Sequence, residues 1–208
     1  MKDRIAIAVF ALIFSATMIG TASAEGVSFT AKFGVDAMGQ TEMDLGDYGG
    51  DTETGDAKMG FSLAIEGLYN MESFQLGLGV SYLIPRGIDE DWPDGKFSAL
   101  PIYAVLNVPF RGGDLTPFIA VQLGYSLLMM DSTMTGWFED NSPVANTEVS
   151  VKGGLYWAIG GGIIFNNNVQ VELLYRSHSG KMEAESDTES ATIDLSITHV
   201  TLSVGYRF

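Results

Sequence analysis

The residues best suited to chemistry in this chain are few and widely spaced. Ser177-His178-Ser179 sets an imidazole beside two hydroxyls, the types that make a base-activated nucleophile, and Glu183 or Glu185 follows closely enough to orient the ring. Glu66, Glu172, Arg176 and Arg207 form a second group, of types that pair when buried because an isolated buried charge is costly. A third group is acidic: Asp44, Asp47, Asp51, Glu53 and Asp56 lie among glycines, and Asp89, Glu90, Asp91 and Asp94 lie close together. Flexible oxygen-rich segments can hold Ca²⁺ or Mg²⁺, but neither run has EF-hand spacing, and a solvated acidic face accounts for both. No nucleotide-binding loop, metal-ligand cluster or catalytic triad occurs elsewhere. The expectation is therefore no catalysis, no cofactor and no metal, with His178 and Ser179 as the alternative enzymatic pair.

What would position these residues is a set of strands. Apolar residues recur at every second position through most of the chain, the signature of strands with two different faces. In 57–70, Met59, Phe61, Leu63, Ile65 and Tyr69 share one face, while Lys58, Gly60, Ser62, Ala64 and Glu66 share the other. The same alternation runs through 74–85, 117–128, 153–165 and 169–176, less cleanly through 27–35 and 97–110. In 192–208 the parity changes near Ile197–Val200, which predicts a bulge there. Eight strands result. Short links at Asn70–Ser73, Arg111–Leu115 and Asn166–Asn168 alternate with long ones over 36–56, 86–96, 131–148 and 177–191. Short turns at one end and long loops at the other are the layout of a membrane barrel.

Charge follows the same division. Residues 1–24 read as a cleaved signal peptide: Lys2 and Arg4, an apolar run over Ile5–Ile19, then Ala22-Ser23-Ala24. The remainder, 25–208, is expected to be a single barrel domain. It carries 25 acids and 9 bases, and 19 of those acids but only Arg86, Lys96 and Lys181 fall in the four long links. The body between them is neutral, as hydrocarbon demands. Such acidity excludes a nucleic-acid partner, which needs a basic surface. The chain has no cysteine, so no disulfide is possible. Outside the leader no apolar run is long enough for a spanning helix, which needs about 20 residues.

Aromatic spacing fixes the band. Phe61 and Tyr69, Phe74 and Tyr82, and Trp157 and Phe165 are each eight residues apart on one face. Eight residues at ~3.3 Å, tilted by ~40°, rise about 20 Å, close to the height of a barrel's apolar band. The other face is Gly, Ser, Ala, Gln and a few charges, too poorly charged for the exterior of a soluble lipocalin-like barrel but apt for a packed lumen. Glu66, Glu172, Arg176 and Arg207 then fall inside the half nearest the short turns. Glu–Arg pairing is expected there, as a plug rather than a gate, because an eight-stranded lumen is just wide enough for side chains to fill. His199 is expected in the lumen as well.

The last strand carries a family resemblance. Leu202, Val204, Tyr206 and Phe208 alternate up to the final residue. This resembles the terminal strand of Gram-negative outer-membrane proteins, in which a terminal Phe serves as an assembly signal; the resemblance gives that role to Tyr206 and Phe208. Length and layout are similar to the outer membrane protein beta-barrel superfamily, with its OmpA-like, OmpX-like and opacity-type small barrels. The resemblance implies an all-β, eight-stranded antiparallel up-and-down transmembrane β-barrel in the cell outer membrane, with periplasmic termini. It also implies lipid, lipopolysaccharide and the barrel-assembly machinery as partners, and a structural or surface-interaction role. Ser177-His178-Ser179 is similar to the His-x-Ser pair of outer-membrane lipid A deacylases, except that here Ser179 adjoins His178. A lipid A-modifying enzyme and a narrow, porin-like pore are the alternative functions.

Overall fold

The computed structural model describes residues 26–44, 52–88, 95–110, 113–133, 135–136, 148–185 and 190–208. The leader 1–24 and the acidic residues Asp47, Asp51, Asp89, Glu90, Asp91 and Asp94 lie outside them. The described chain is strand throughout, apart from short turns and helical residues at 132–133 and 135–136. In order the strands are β1 (Val27–Asp44), β2 (Glu53–Ala57), β3 (Gly60–Asn70), β4 (Gln75–Gly87), β5 (Lys96–Pro109), β6 (Leu115–Met130), β7 (Glu148–Phe165), β8 (Val169–Glu185) and β9 (Ser190–Arg207).

Each strand pairs antiparallel with its neighbours, and β9 returns to β1 to close the wall. β2 and β3 are two parts of one crossing, both paired with β1 and interrupted at Lys58–Met59. The wall is therefore the eight-crossing barrel that the sequence predicts, with one extra strand segment. Closure leaves no edge to be satisfied by lipid, which cannot hydrogen-bond.

The period-two pattern sorts side chains as expected. Phe61, Tyr69, Leu76, Leu78, Leu123, Tyr125, Ile159, Leu173, Leu202 and Val204 face outward, and Leu78 is 70% exposed, a value that suits contact with lipid rather than water. Trp157 and Tyr175 touch at 5.6 Å near one edge of this band, and Tyr206 and Phe208 at 5.1 Å near the other. The turns at 71–74 and 166–168, the adjoining ends of β5 and β6, the start of β1 and the end of β9 lie at that second edge, the turn end. There Asn168 N–H donates to Phe165 O at 3.0 Å, and Asn166 and Asn167 adopt φ of 47° and 63°. Asn is among the few side chains that tolerate this left-handed region.

At the opposite, loop end the strands run farther than the sequence pattern predicts. β1 continues to Asp44 and β8 to Glu185, although alternation in polarity was legible only to residues 35 and 176. The reason is a change of environment. Beyond the band the outer face becomes polar, with Glu42, Lys152, Lys181 and Asp194, while the inner face becomes apolar, with Met43, Leu128, Met182 and Leu195. The same change corrects the bulge expected in the last strand. β9 alternates without a break: Ile193, Leu195, Ile197, His199, Thr201 and Ser203 all point inward. The polarity of the lumen switches there, not the strand. The irregularity lies opposite, on β1 between Ala37 and Gln40, where Met38 has φ 52°.

Candidate functional site

The lumen is where the chain concentrates its unusual side chains, and it is built in layers. Alternation along β1, β3 and β8 turns Lys32, Glu66 and Glu172 inward. Lys32 Nζ lies 2.8 Å from Glu66 Oε2 and 2.9 Å from Glu172 Oε2, with all three side chains buried. One ammonium thus joins two carboxylates, and neutral donors take up the surplus negative charge. Tyr103 Oη and Gln122 Nε2 each donate to Glu66 Oε1 at 3.1 Å, Tyr156 Oη donates to Gln122 Oε1 at 2.6 Å, and Gln170 Nε2 donates to Glu172 Oε2 at 3.0 Å. Carboxylates are acceptors only, so this donor-rich surround is what permits them inside. Gly79 makes the room: a Cβ there would lie 2.5 Å from the Tyr103 ring and 2.9 Å from Glu66 Cγ.

Toward the loop end a second polar layer surrounds Asp36. Its Oδ1 accepts from Thr201 Oγ1 at 2.6 Å and Ser62 Oγ at 3.2 Å, and His199 Nε2 lies 3.6 Å from it. Arg86 reaches over Gly60, where a Cβ would stand 2.7 Å from Arg86 Cδ, to bring Nη1 within 3.8 Å of Asp36 Oδ2. His178 and His199 stack with rings 5.2 Å apart and 10° from parallel, and Tyr156 covers His178 at 5.0 Å. His178 Nδ1 is 2.9 Å from Ser126 Oγ.

Above these layers the lumen is apolar. Met43, Ala57, Leu83, Ile88, Phe97, Ala99, Leu128, Met130, Met182, Ile193, Leu195 and Ile197 form one buried cluster, with Val149 and Val151 against it. The Phe97 ring lies 5.4 Å from the Arg86 guanidinium carbon, at the junction of apolar and charged layers.

The residues expected to form a lumen cluster meet only in part. Glu66 and Glu172 are brought together, but by Lys32 rather than by an arginine. Arg176 is buried one layer higher and makes no ion pair with either glutamate. Arg207 stands at the turn end, where it donates to Asn70 Oδ1. Lys32 was legible in principle, since it shares parity with Ser28, Thr30, Gly34 and Asp36; the charge ledger counted it but gave it no partner. Asp36 and Arg86 were hidden, because both fall in segments read as loops. For Arg86 the register also shifts, between Leu83 and Arg86 beside Pro85, and that moves it to the inner face against the simple alternation.

His178 and Ser179 do not meet. His178 points into the lumen at 1% exposure, whereas Ser179 lines a groove of about 500 Å³ on the outer wall with Glu42, Lys181, Asp194 and Ser196. Adjacent strand residues face opposite ways, so the pair cannot share a substrate. Among the described residues no three His, Asp or Glu side chains converge as a metal site. At the chain's end, Phe208 N–H donates to Phe29 O at 2.8 Å, and Tyr206 and Phe208 stand exposed on the outer wall.

A family model for the outer membrane protein beta-barrel domain matches residues 7–208. The chain belongs to that outer membrane protein beta-barrel family. Its fold is similar to OprG from Pseudomonas aeruginosa, with 12% identity, a TM-score of 0.51, and 88% of this chain and 96% of that one covered. It is also similar to the outer membrane protein AlkL solved in lipid bilayers, with 13% identity, a TM-score of 0.53, and 90% and 93% covered. At such identities the likeness is one of fold. No curated protein sequence matches the chain significantly. Membership in the family makes this an outer-membrane barrel, consistent with its exposed apolar band.

Proposed function

We propose that this barrel is a sealed, non-catalytic anchor of a Gram-negative outer membrane that presents its loop end for surface interaction. The observation that carries this reading is the stacked filling of the lumen: an ionic layer centred on Lys32, a polar layer around Asp36, and an apolar layer from Met43 to Ile197. A conducting path would need continuous water, and twelve buried apolar residues at one end oppose it. The separation of His178 from Ser179 supports the absence of deacylase chemistry. In this reading the leader 1–24 is removed on export, the turn end and both termini face the periplasm, and the acidic loop end faces outward. Exposed Tyr206 and Phe208 suit recognition by the assembly machinery, and the outward band suits lipid and lipopolysaccharide.

Planar-bilayer recording tests the seal. The purified barrel is expected to give no large, steady conductance. Open channels in the wild type would overturn the sealed reading in favour of the pore. Mass spectra of lipopolysaccharide from cells with and without the gene test the chemistry. Acylation that changes with the gene and reverts in Ser179→Ala would overturn the non-catalytic reading.

A further inference from the structure

The groove of about 500 Å³ on the outer wall crosses β1, β9, β8 and β7 at the loop edge of the apolar band. Its shape begins with an irregularity on β7. The register shifts between Gly153 and Tyr156, so Gly154 and Leu155 together face Ser179 on β8. A bulge of this kind bends its strand, and Gly153, Gly154 and Gly180 bring no side chain to refill the space. Two rows of side chains run across the floor from β1 to β8. Glu42, Ser196 and Ser179 are register partners in the first row, and Asp44, Asp194 and Lys181 in the second. Lys181 Nζ lies 3.2 Å from Asp194 Oδ1. Leu155 forms the side nearest the bilayer. It is exposed, pairs with Tyr125, and leads down the same face to Trp157 and its neighbour Tyr175.

We propose that this groove binds the hydroxyl-rich sugar head of an outer-leaflet glycolipid, whose apolar chain runs down the band past Leu155. A sugar hydroxyl both donates and accepts. Carboxylates accept, the ammonium donates, and serine does both, so each row offers both kinds of partner. The rows are two residues apart along each strand, about 7 Å, which one sugar ring with its hydrogen bonds bridges. The groove also has the volume of an ordinary small-ligand site. Other occupants fit less well. The three carboxylates are spread over two rows and do not converge on a metal ion, and they oppose a phosphate. A free saccharide would leave Leu155 and the aromatic pair below it uncovered, whereas a chain continuing from the sugar into the bilayer covers them. The choice of leaflet rests on the proposed orientation, with the loop end outward; the contacts to the sugar do not.

Dodecyl maltoside serves as the probe. The full chain is refolded into dodecylphosphocholine micelles, and the mole fraction of dodecyl maltoside is raised while amide resonances are followed. Those of Leu155, Ser179 and Ser196 are expected to shift and saturate. Those of Leu78 and Ile102, exposed on β4 and β5, are expected to drift without saturating. Binding is expected to be about tenfold weaker in Ser196→Phe, which fills the groove, and in Glu42→Ala, which removes an acceptor from its rim. Equal shifts with a dodecyl polyoxyethylene ether, which lacks a hydroxyl-rich head, would overturn the proposal, as would unaltered binding in both variants. Should Ser196→Phe fail to fold, Glu42→Ala decides. Free maltose bound as tightly as dodecyl maltoside would overturn the glycolipid in favour of a soluble sugar. Lys181→Cys separates a failed orientation from a failed site. A membrane-impermeant maleimide is expected to label it on whole cells; no labelling, with maltoside binding intact, would overturn the outer leaflet and the orientation together.

Discussion

Replacing Lys32 by Met should be among the most damaging single changes in this barrel. The side chain is close in volume, so packing is nearly kept and the loss is electrostatic. Glu66 and Glu172 would then face each other across the site of the missing ammonium, which now lies 2.8 and 2.9 Å from them. Two carboxylates about 6 Å apart repel by about 3 kcal/mol at an effective dielectric of about 20. Breaking buried ion pairs by removing one partner costs about 3–5 kcal/mol in general, which agrees. The neutral donors Tyr103, Gln122 and Gln170 remain and keep the loss toward the lower figure. A protein whose total stability is about 5–15 kcal/mol would feel this strongly. Urea unfolding in lipid vesicles, followed by tryptophan fluorescence and by migration on gels before and after boiling, measures it. The companion variant, Lys32→Met with Glu66→Gln and Glu172→Gln, removes the stranded charges and should recover about 2 kcal/mol of the loss. If the single variant unfolds within about 1 kcal/mol of the wild type, or the triple variant is no more stable than the single, the buried triad is not what holds this layer.

Two further substitutions probe the backbone and the packing around the same layers. Gly79→Val should destabilise by about 1–3 kcal/mol, because its side chain would enter the space of the Tyr103 ring and Glu66; an unchanged unfolding midpoint would mean that the ring can move aside. Met38→Gly should stabilise by up to about 1 kcal/mol, since Met38 is 86% exposed and holds a left-handed φ of 52° that glycine adopts without strain; a lower midpoint would show that the Met38 side chain makes contacts worth more than that strain.

The wall of the barrel was legible because a strand in lipid has only two environments and the sequence alternates between them. Phe61, Leu63 and Ile65 against Ser62, Ala64 and Glu66 are enough to orient a strand, and eight such stretches with alternating turn lengths are enough to order them. The pattern stopped being readable where the environments exchanged. Met43, Met182 and Ile197 are apolar and inside, while Glu42, Lys181 and Ser196 are polar and outside, so the same strands looked like loops or bulges beyond the band.

Which charges meet is a different kind of question, and sequence spacing does not answer it. Glu66 and Glu172 could be assigned to the lumen by parity alone, but parity gives a face and not a partner. Lys32 is 140 residues from Glu172, and only closure of β9 on β1 places that ammonium between two acids. Arg86 needed more still, because a register shift between Leu83 and Arg86 decides its face, whereas Asp36 keeps the parity of its strand and only closure of β9 on β1 gives it Thr201 and His199. His178 and Ser179 show the converse: adjacency in sequence suggested a pair, and strand geometry sends the two side chains to opposite sides of the wall. By itself the sequence determined the barrel, its band and the residues that face inward within that band, since those follow from local alternation and the demands of hydrocarbon. The tertiary structure alone decided the layered filling of the lumen, because shear and closure bring together residues that no local rule relates.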